Sequence, residues 1–314
     1  MTLSSPAVPR GLAGVAGPFR EVGDLKRVRV AHAEGSAAQR AFVRSWAALV
    51  AGADPAAVAA AECATALAGA RLAGIDAAVL RAAGLTGDEA VDVLARAVDE
   101  VAGGLPPQTR QWVRAALPGL VAAAAVAEAG SDLPAFVPAF VGALCRQPRA
   151  GATAPGRPRL VVEPPENHAE HCWAVAVYSG LLADGVGADP GDAVLLGLAH
   201  HLHNAVLPDA GFAGEMLLGA HLEPVLERLT ERELATLPAA LAERVRALLA
   251  RRADADTPVG RAFHAADVLD RVLQCHHHAR AAGFTVDQAL VDLELVHAGP
   301  VTDYHDAVLA AAGL

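Results

Sequence analysis

The 13 histidines of this 314-residue chain are spread very unevenly: His32 stands alone before position 160. A solvated surface gives no reason for such segregation, but a metal centre does, because imidazole is a common ligand for zinc, iron, copper and nickel. Three clusters carry useful spacing. In Glu166-Asn167-His168-Ala169-Glu170-His171, the two histidines are three apart and share a helix face. In Leu198-Ala199-His200-His201-Leu202-His203-Asn204, His200 and His203 share a face, and His201 is rotated about 100° from His200. In the segment from Ala262 to Arg271, His264 and Asp267 share a face, with Asp270 three residues further on. Apolar residues surround each cluster. Burying such groups costs several kcal/mol unless they are paired or bind a metal. Any one of these histidines alone reads more readily as a satisfied core residue. Together they indicate a divalent transition metal (Mn, Fe, Ni or Zn, one or two ions) held between helices.

Basic residues gather at Arg146, Arg149, Arg157 and Arg159, in an otherwise acidic chain. They suit either a solvated loop or an anion-binding site. Arg261 and Arg271 flank the His264–Asp270 cluster.

Helical periodicity must position these groups. Segments at about 36–51, 55–73, 86–103, 108–129 and 133–146 carry it, with Pro55 opening one helix and Thr86 with Glu89 forming a capping box. Residues 147–165 are too rich in Pro and Gly for a helix. Helices resume at about 166–184, 190–206, 212–229, 231–252, 257–280, 285–297 and 302–312. No useful strand alternation occurs. The expected fold class is therefore all-α: an irregular arm over 1–30, a helical region over 31–147, a loop over 148–165 that either links or covers a site, and a metal-binding domain over 166–314.

The order of the clusters resembles the HD superfamily of helical metal-binding catalytic domains. HCWAVAVYSGLLA, from His171, is similar to its first element. LAHHLHN resembles its His-Asp pair, with His200 as the His, and AADVLD resembles its last element, with Asp267 as the Asp. The resemblance covers roughly 166–275 and implies a metal held by His171, His200 and Asp267. One position departs: His201 stands where the family has an Asp that can bridge two metals. Three readings stay open. His171, His200, His201 and Asp267 hold one ion; or His168, His203, His221 or His264 supply a second; or the site is degenerate. The resemblance also implies acidic catalytic groups after the pair. Asp209 stands where the deoxynucleotidase branch has one, Asn204 where that branch has a Glu, and Gly214-Glu215 is similar to the Gly-Glu of dNTP triphosphohydrolases. His203, Asn204, Asp209 and Glu215 are thus candidate catalytic residues, with helix capping as the alternative for Asp209 and Glu215.

Three functions fit. The first is metal-dependent hydrolysis of a nucleotide or other small phosphate ester, with Arg149, Arg157, Arg159 and Arg271 binding substrate. The second is an iron-dependent oxygenase of the kind found in some HD members. The third is a non-catalytic binding module, its Ala-rich N-terminal half suiting homodimerisation. A net charge of -10 disfavours nucleic-acid or membrane partners. The most apolar run, near Val121 to Ala129, is too short to span a bilayer. Cys63, Cys145, Cys172 and Cys275 form no CxxC pair, and the N-terminus lacks a signal pattern, so a cytoplasmic location is expected. The run His276, His277 and His278 reads as a solvated helix end, and Trp173 as a wall of the site.

Overall fold

The computed structural model describes residues 8–128, 137–252, 254–282, 285–292, 294–296 and 298–314. Among them the regular elements are helices, with three isolated bridge pairs and no strand. Helix α1 (Ala16–Asp24) lies inside the stretch expected to be irregular. Its Phe19 is buried and stacks on Tyr178 at 4.2 Å between ring centroids. Tertiary packing has overridden weak local propensity there.

Ser36 caps α2 (Ala37–Val50), and Pro55 opens α3 (Pro55–Leu72). A short α4 (Ala77–Ala82), capped by Asp76, was not expected. The Thr86–Glu89 capping box opens α5 (Gly87–Val101). Then come α6 (Pro107–Glu128) and α7 (Ala139–Arg146). Residues 133–136, where the expected α7 segment began, lie outside the described residues.

Helix α8 (His168–Val186) is the central element. Asn167 and Glu170 form its capping box, and Gly187 ends it in the left-handed region at φ 72°. Residues 168 to 183 are buried all round, as expected of a helix apolar on every face. It packs most extensively on α9 (Pro190–Ala199). The two backbones nearly touch: a Cβ on Gly197 would lie 2.4 Å from the Cα of Ala176. A side chain there would push the helices apart.

The chain continues through α10 (Gly211–Met216), α11 (Leu222–Leu234), α12 (Ala239–Leu249), α13 (Pro258–Ala282) and α14 (Thr302–Ala312). A π turn at Gln288–Asp292 stands where a longer helix over 285–297 was expected; residues 293 and 297 lie outside the described residues. Helix α13 packs on α8, and α1 packs on α13. One hydrophobic core runs from Leu12 to Ala312 and joins the N-terminal helices to the second half.

The helix expected over 190–206 ends at Ala199. His200 is its C-cap, and His201, at φ -114° and ψ 25°, leaves the helix for a 3-10 turn over Leu202–Ala205. His200 Nδ1 donates to the carbonyl of Gly197 at 2.7 Å, and Arg252 donates to the carbonyl of His200 at 3.0 Å. These bonds satisfy groups that a continuing helix would have used. Consequently His200 and His203 do not share a helix face.

Candidate metal centre and cavity

His171 comes from the first turn of α8 and His200 from the end of α9. Their Nε2 atoms are 3.2 Å apart. Asp267, from the middle of α13, brings Oδ1 to 3.4 Å from His171 Nε2. The opposite ring nitrogens decide what this arrangement means. His171 Nδ1 lies 2.8 Å from Oδ2 of Asp270, and His200 Nδ1 lies 2.7 Å from a backbone carbonyl. Both partners are acceptors, so both Nδ1 atoms carry the proton. In the neutral rings each Nε2 therefore presents a lone pair. Burial, reinforced by neighbouring His171, pushes the pKa of His200 well below its ordinary value. Burial would raise the Asp267 carboxyl, but Arg271 and His171 outweigh it and hold the group well below the usual range.

Two lone pairs and a carboxylate facing one another repel unless a cation lies among them. Metal–nitrogen bonds of about 2.0–2.1 Å place neighbouring ligands roughly 3.0–3.4 Å apart, which the 3.2 Å separation matches. The donor set thus fits a divalent transition metal. His201 belongs to the same group: its ligand nitrogen and those of His171 and His200 lie within 4.8 Å of one another. Its orientation is fixed from behind. Asn204 Nδ2 donates to the carbonyl of Leu207 at 3.0 Å, so its Oδ1 accepts the His201 Nδ1 proton at 2.8 Å. The lone pair on His201 Nε2 then receives Arg149 Nη1 at 2.9 Å.

A second cluster, Glu166, His171 and Asp270, also has metal-ligand spacing. It already holds a cation. Lys26 Nζ lies 3.0 Å from Glu166 Oε1 and 2.6 Å from Asp270 Oδ1.

His171 and His201, but not His200 or Asp267, line a cavity of about 210 Å³, whose wall also includes Arg149, Arg271, Glu215 and Phe212. The 148–165 loop forms one side through Gly151, Ala152, Thr153, Leu160 and Val162. It is tied down by the Ala152–Leu160 bridge and by Arg159, which donates to the carbonyls of Ala150 and Ala210. It therefore covers the site.

The family comparison agrees with this geometry: residues 141–295 match the family model described as HD domain. This segment is an HD domain. No curated protein and no solved structure matches the chain. HD domains are typically metal-dependent phosphohydrolases, and they bind divalent metals.

Within the HD domain, the other expected residues take varied places. Asp209 lines the cavity, but both its oxygens are engaged, accepting from the backbone N–H of Ala150 at 2.9 Å and of Gly211 at 2.8 Å. That is a strut between loop and turn. Burial opposes its charge, yet Arg149 and these amides keep its carboxyl below the usual range. Glu215 lines the cavity with a carboxyl raised by burial and by Asp209. Asn204 positions His201 and does not line the cavity. His168 is fully buried with Nδ1 on the carbonyl of Gln147; its Nε2 points towards Asp209 at 3.6 Å. His203 is buried beside His201, at 5.6 Å between ring centroids, and does not line the cavity. His264 turns to His305, at 5.5 Å between rings, rather than to His171 and His200. His221 is exposed. Arg271 lines the cavity and pairs with Asp267 at 3.2 Å. Arg157 is exposed and does not line it.

Three expectations change. His278 is buried, not solvated, because Gln274 donates to its Nε2 at 2.9 Å while accepting from Arg27 at 2.7 Å. Trp173 does not wall this cavity; its indole donates to Glu62 at 3.2 Å, away from the site. Asp270 and Glu166, not singled out as functional, stand directly behind His171. The Asp267–Asp270 spacing of three, which sets both on one face of α13, was the available signal.

Proposed function

We propose that this chain is a metal-dependent phosphohydrolase acting on a small phosphate ester, with nucleotides as the leading class. The observation that supports it most directly is the approach of the Nε2 atoms of His171 and His200 to within 3.2 Å beside Asp267, next to a cavity flanked by two arginines. His171, His200 and Asp267 would hold the ion, with His201 as a fourth donor. A bound ion of this kind lowers the pKa of water and polarises a phosphoryl oxygen.

The chain supplies the rest. Arg149 and Arg271 line the cavity and can take up phosphoryl oxygens, neutralising charge that builds up during transfer. Glu215 retains its proton more readily than an ordinary glutamate and can donate it to the leaving oxygen. Asp209 stays ionised and holds the covering loop in place.

Elemental analysis of the purified chain, beside a His200→Ala variant, tests the centre. About one equivalent of metal, lost in the variant, is expected, with phosphate released from a nucleotide panel by the parent alone. Bound iron with oxygen uptake and no phosphate release would instead favour oxidative chemistry. No metal after reconstitution would overturn both.

A further inference from the structure

Lys26 is the sole lysine of the sequence and lies outside the segment that matches the HD family. It follows α1, yet the residue is only 4 % exposed and its ammonium group lies beneath His171. It contacts one oxygen of Asp270 at 2.6 Å and Glu166 at 3.0 Å. The other oxygen of Asp270 accepts the His171 Nδ1 proton at 2.8 Å, and Glu166 lies 3.7 Å from the same nitrogen. Neighbouring Arg27 bonds Gln274 on α13, so this short segment is docked at two successive residues.

We propose that Lys26 is a positioning residue: by holding the Glu166–Asp270 carboxylate pair, it fixes the tautomer and ring orientation of His171. Two buried carboxylates repel one another unless a cation lies between them. With Lys26 in place, Asp270 is an oriented acceptor, so His171 carries a proton on Nδ1 and directs Nε2 away from the carboxylate pair. Without Lys26, the Asp270 carboxylate loses the contact that orients it, and His171 Nδ1 loses its fixed acceptor. Partners behind a ligand histidine typically alter metal affinity by about 10–100-fold. The centre is then assembled from both halves of the chain. The inference rests on the proposed ligand role of His171 for its effect on metal, but the tautomer assignment stands without it.

The test is Lys26→Met in the full chain, with nitrogen-15 imidazole NMR on the metal-free protein and calorimetric titration with Mn²⁺. The expected result is an Nδ1–H His171 in the parent, loss of that tautomer in the variant, and Mn²⁺ binding weakened about 10–100-fold. His200 is the internal control, because its Nδ1 bonds a backbone carbonyl that Lys26 does not touch, so its tautomer should not change. Exogenous methylammonium should restore the His171 signal in Lys26→Ala. If Lys26→Met does not fold, Lys26→Ala folded in methylammonium and read before and after the amine is removed carries the same expectations. An unchanged His171 tautomer overturns the proposal. So does a second equivalent of Mn²⁺ bound tightly by the variant, since the carboxylate pair would then be a metal site that Lys26 blocks. If the tautomer changes but neither protein binds Mn²⁺, the positioning role holds and the metal reading of His171 fails.

Discussion

Arg149 donates from Nη1 to Nε2 of His201 at 2.9 Å. A guanidinium therefore holds the lone pair that His201 would offer a metal, at the position where the family resemblance implies a carboxylate. Arginine is charged at every accessible pH, so a divalent ion and Arg149 compete for His201. An anionic substrate would draw Arg149 towards itself and leave His201 to the metal.

Replacing Arg149 with Gln is accordingly expected to move two affinities in opposite directions. Metal binding should tighten several-fold, because a cation beside the centre is gone. Substrate KM should rise about tenfold or more, as a charge-assisted contact is worth roughly 1.5–3 kcal/mol. Titration calorimetry and steady-state kinetics would check this; weaker metal binding would contradict the competition.

Glu215→Gln should separate binding from chemistry. The side chain lines the cavity but belongs to neither cluster with metal-ligand spacing. Metal content should be unchanged, while kcat falls about 10²-fold or more for esters with poor leaving groups. Esters with good leaving groups, which need no proton, should be affected much less. An equal loss on both would remove Glu215 from the acid role.

Gly197→Ala probes the α8–α9 contact, where the new Cβ would meet the backbone of Ala176. Overpacking of this kind costs about 1–3 kcal/mol. Since His171 and His200 lie across the same contact, metal affinity should fall together with stability. A thermal midpoint below the parent's with unchanged metal affinity would show that the centre tolerates the displacement.

Acid should weaken the metal-free fold before the carboxylates titrate. Burial pushes the pKa of His168 down to about 3, and those of His203 and His278 down to about 4. In the unfolded chain each takes its proton near the ordinary value of about 6.5. The unfolded state thus binds more protons as pH falls from about 6.5 to 4, and stability drops over that window. Glu170 and Glu215, whose carboxyls are raised by burial, act in the opposite direction but are outnumbered, since His200, His201, His264, His276 and His277 are lowered by burial as well. Urea midpoints at pH 7.5, 5.5 and 4.5 should decline in that order; a flat profile would contradict it.

The sequence by itself determined the helical class, because apolar periodicity and caps such as Thr86–Glu89 are local signals. Residue types, spacing and the resemblance to the HD superfamily also singled out His171, His200 and Asp267 as candidate ligands. Only the tertiary structure decided what depends on contacts between distant residues. His201 faces inward because the chain leaves the helix at His200, whose carbonyl is taken up by Arg252, 52 residues away. His264 has the right spacing but turns to His305 on α14. Lys26 reaches Asp270 across 244 residues of sequence, and Arg149 reaches His201 across 52. Periodicity reports which side of an element is buried; it carries no information about which buried charge meets which, and that pairing decides which nitrogens of this centre are free.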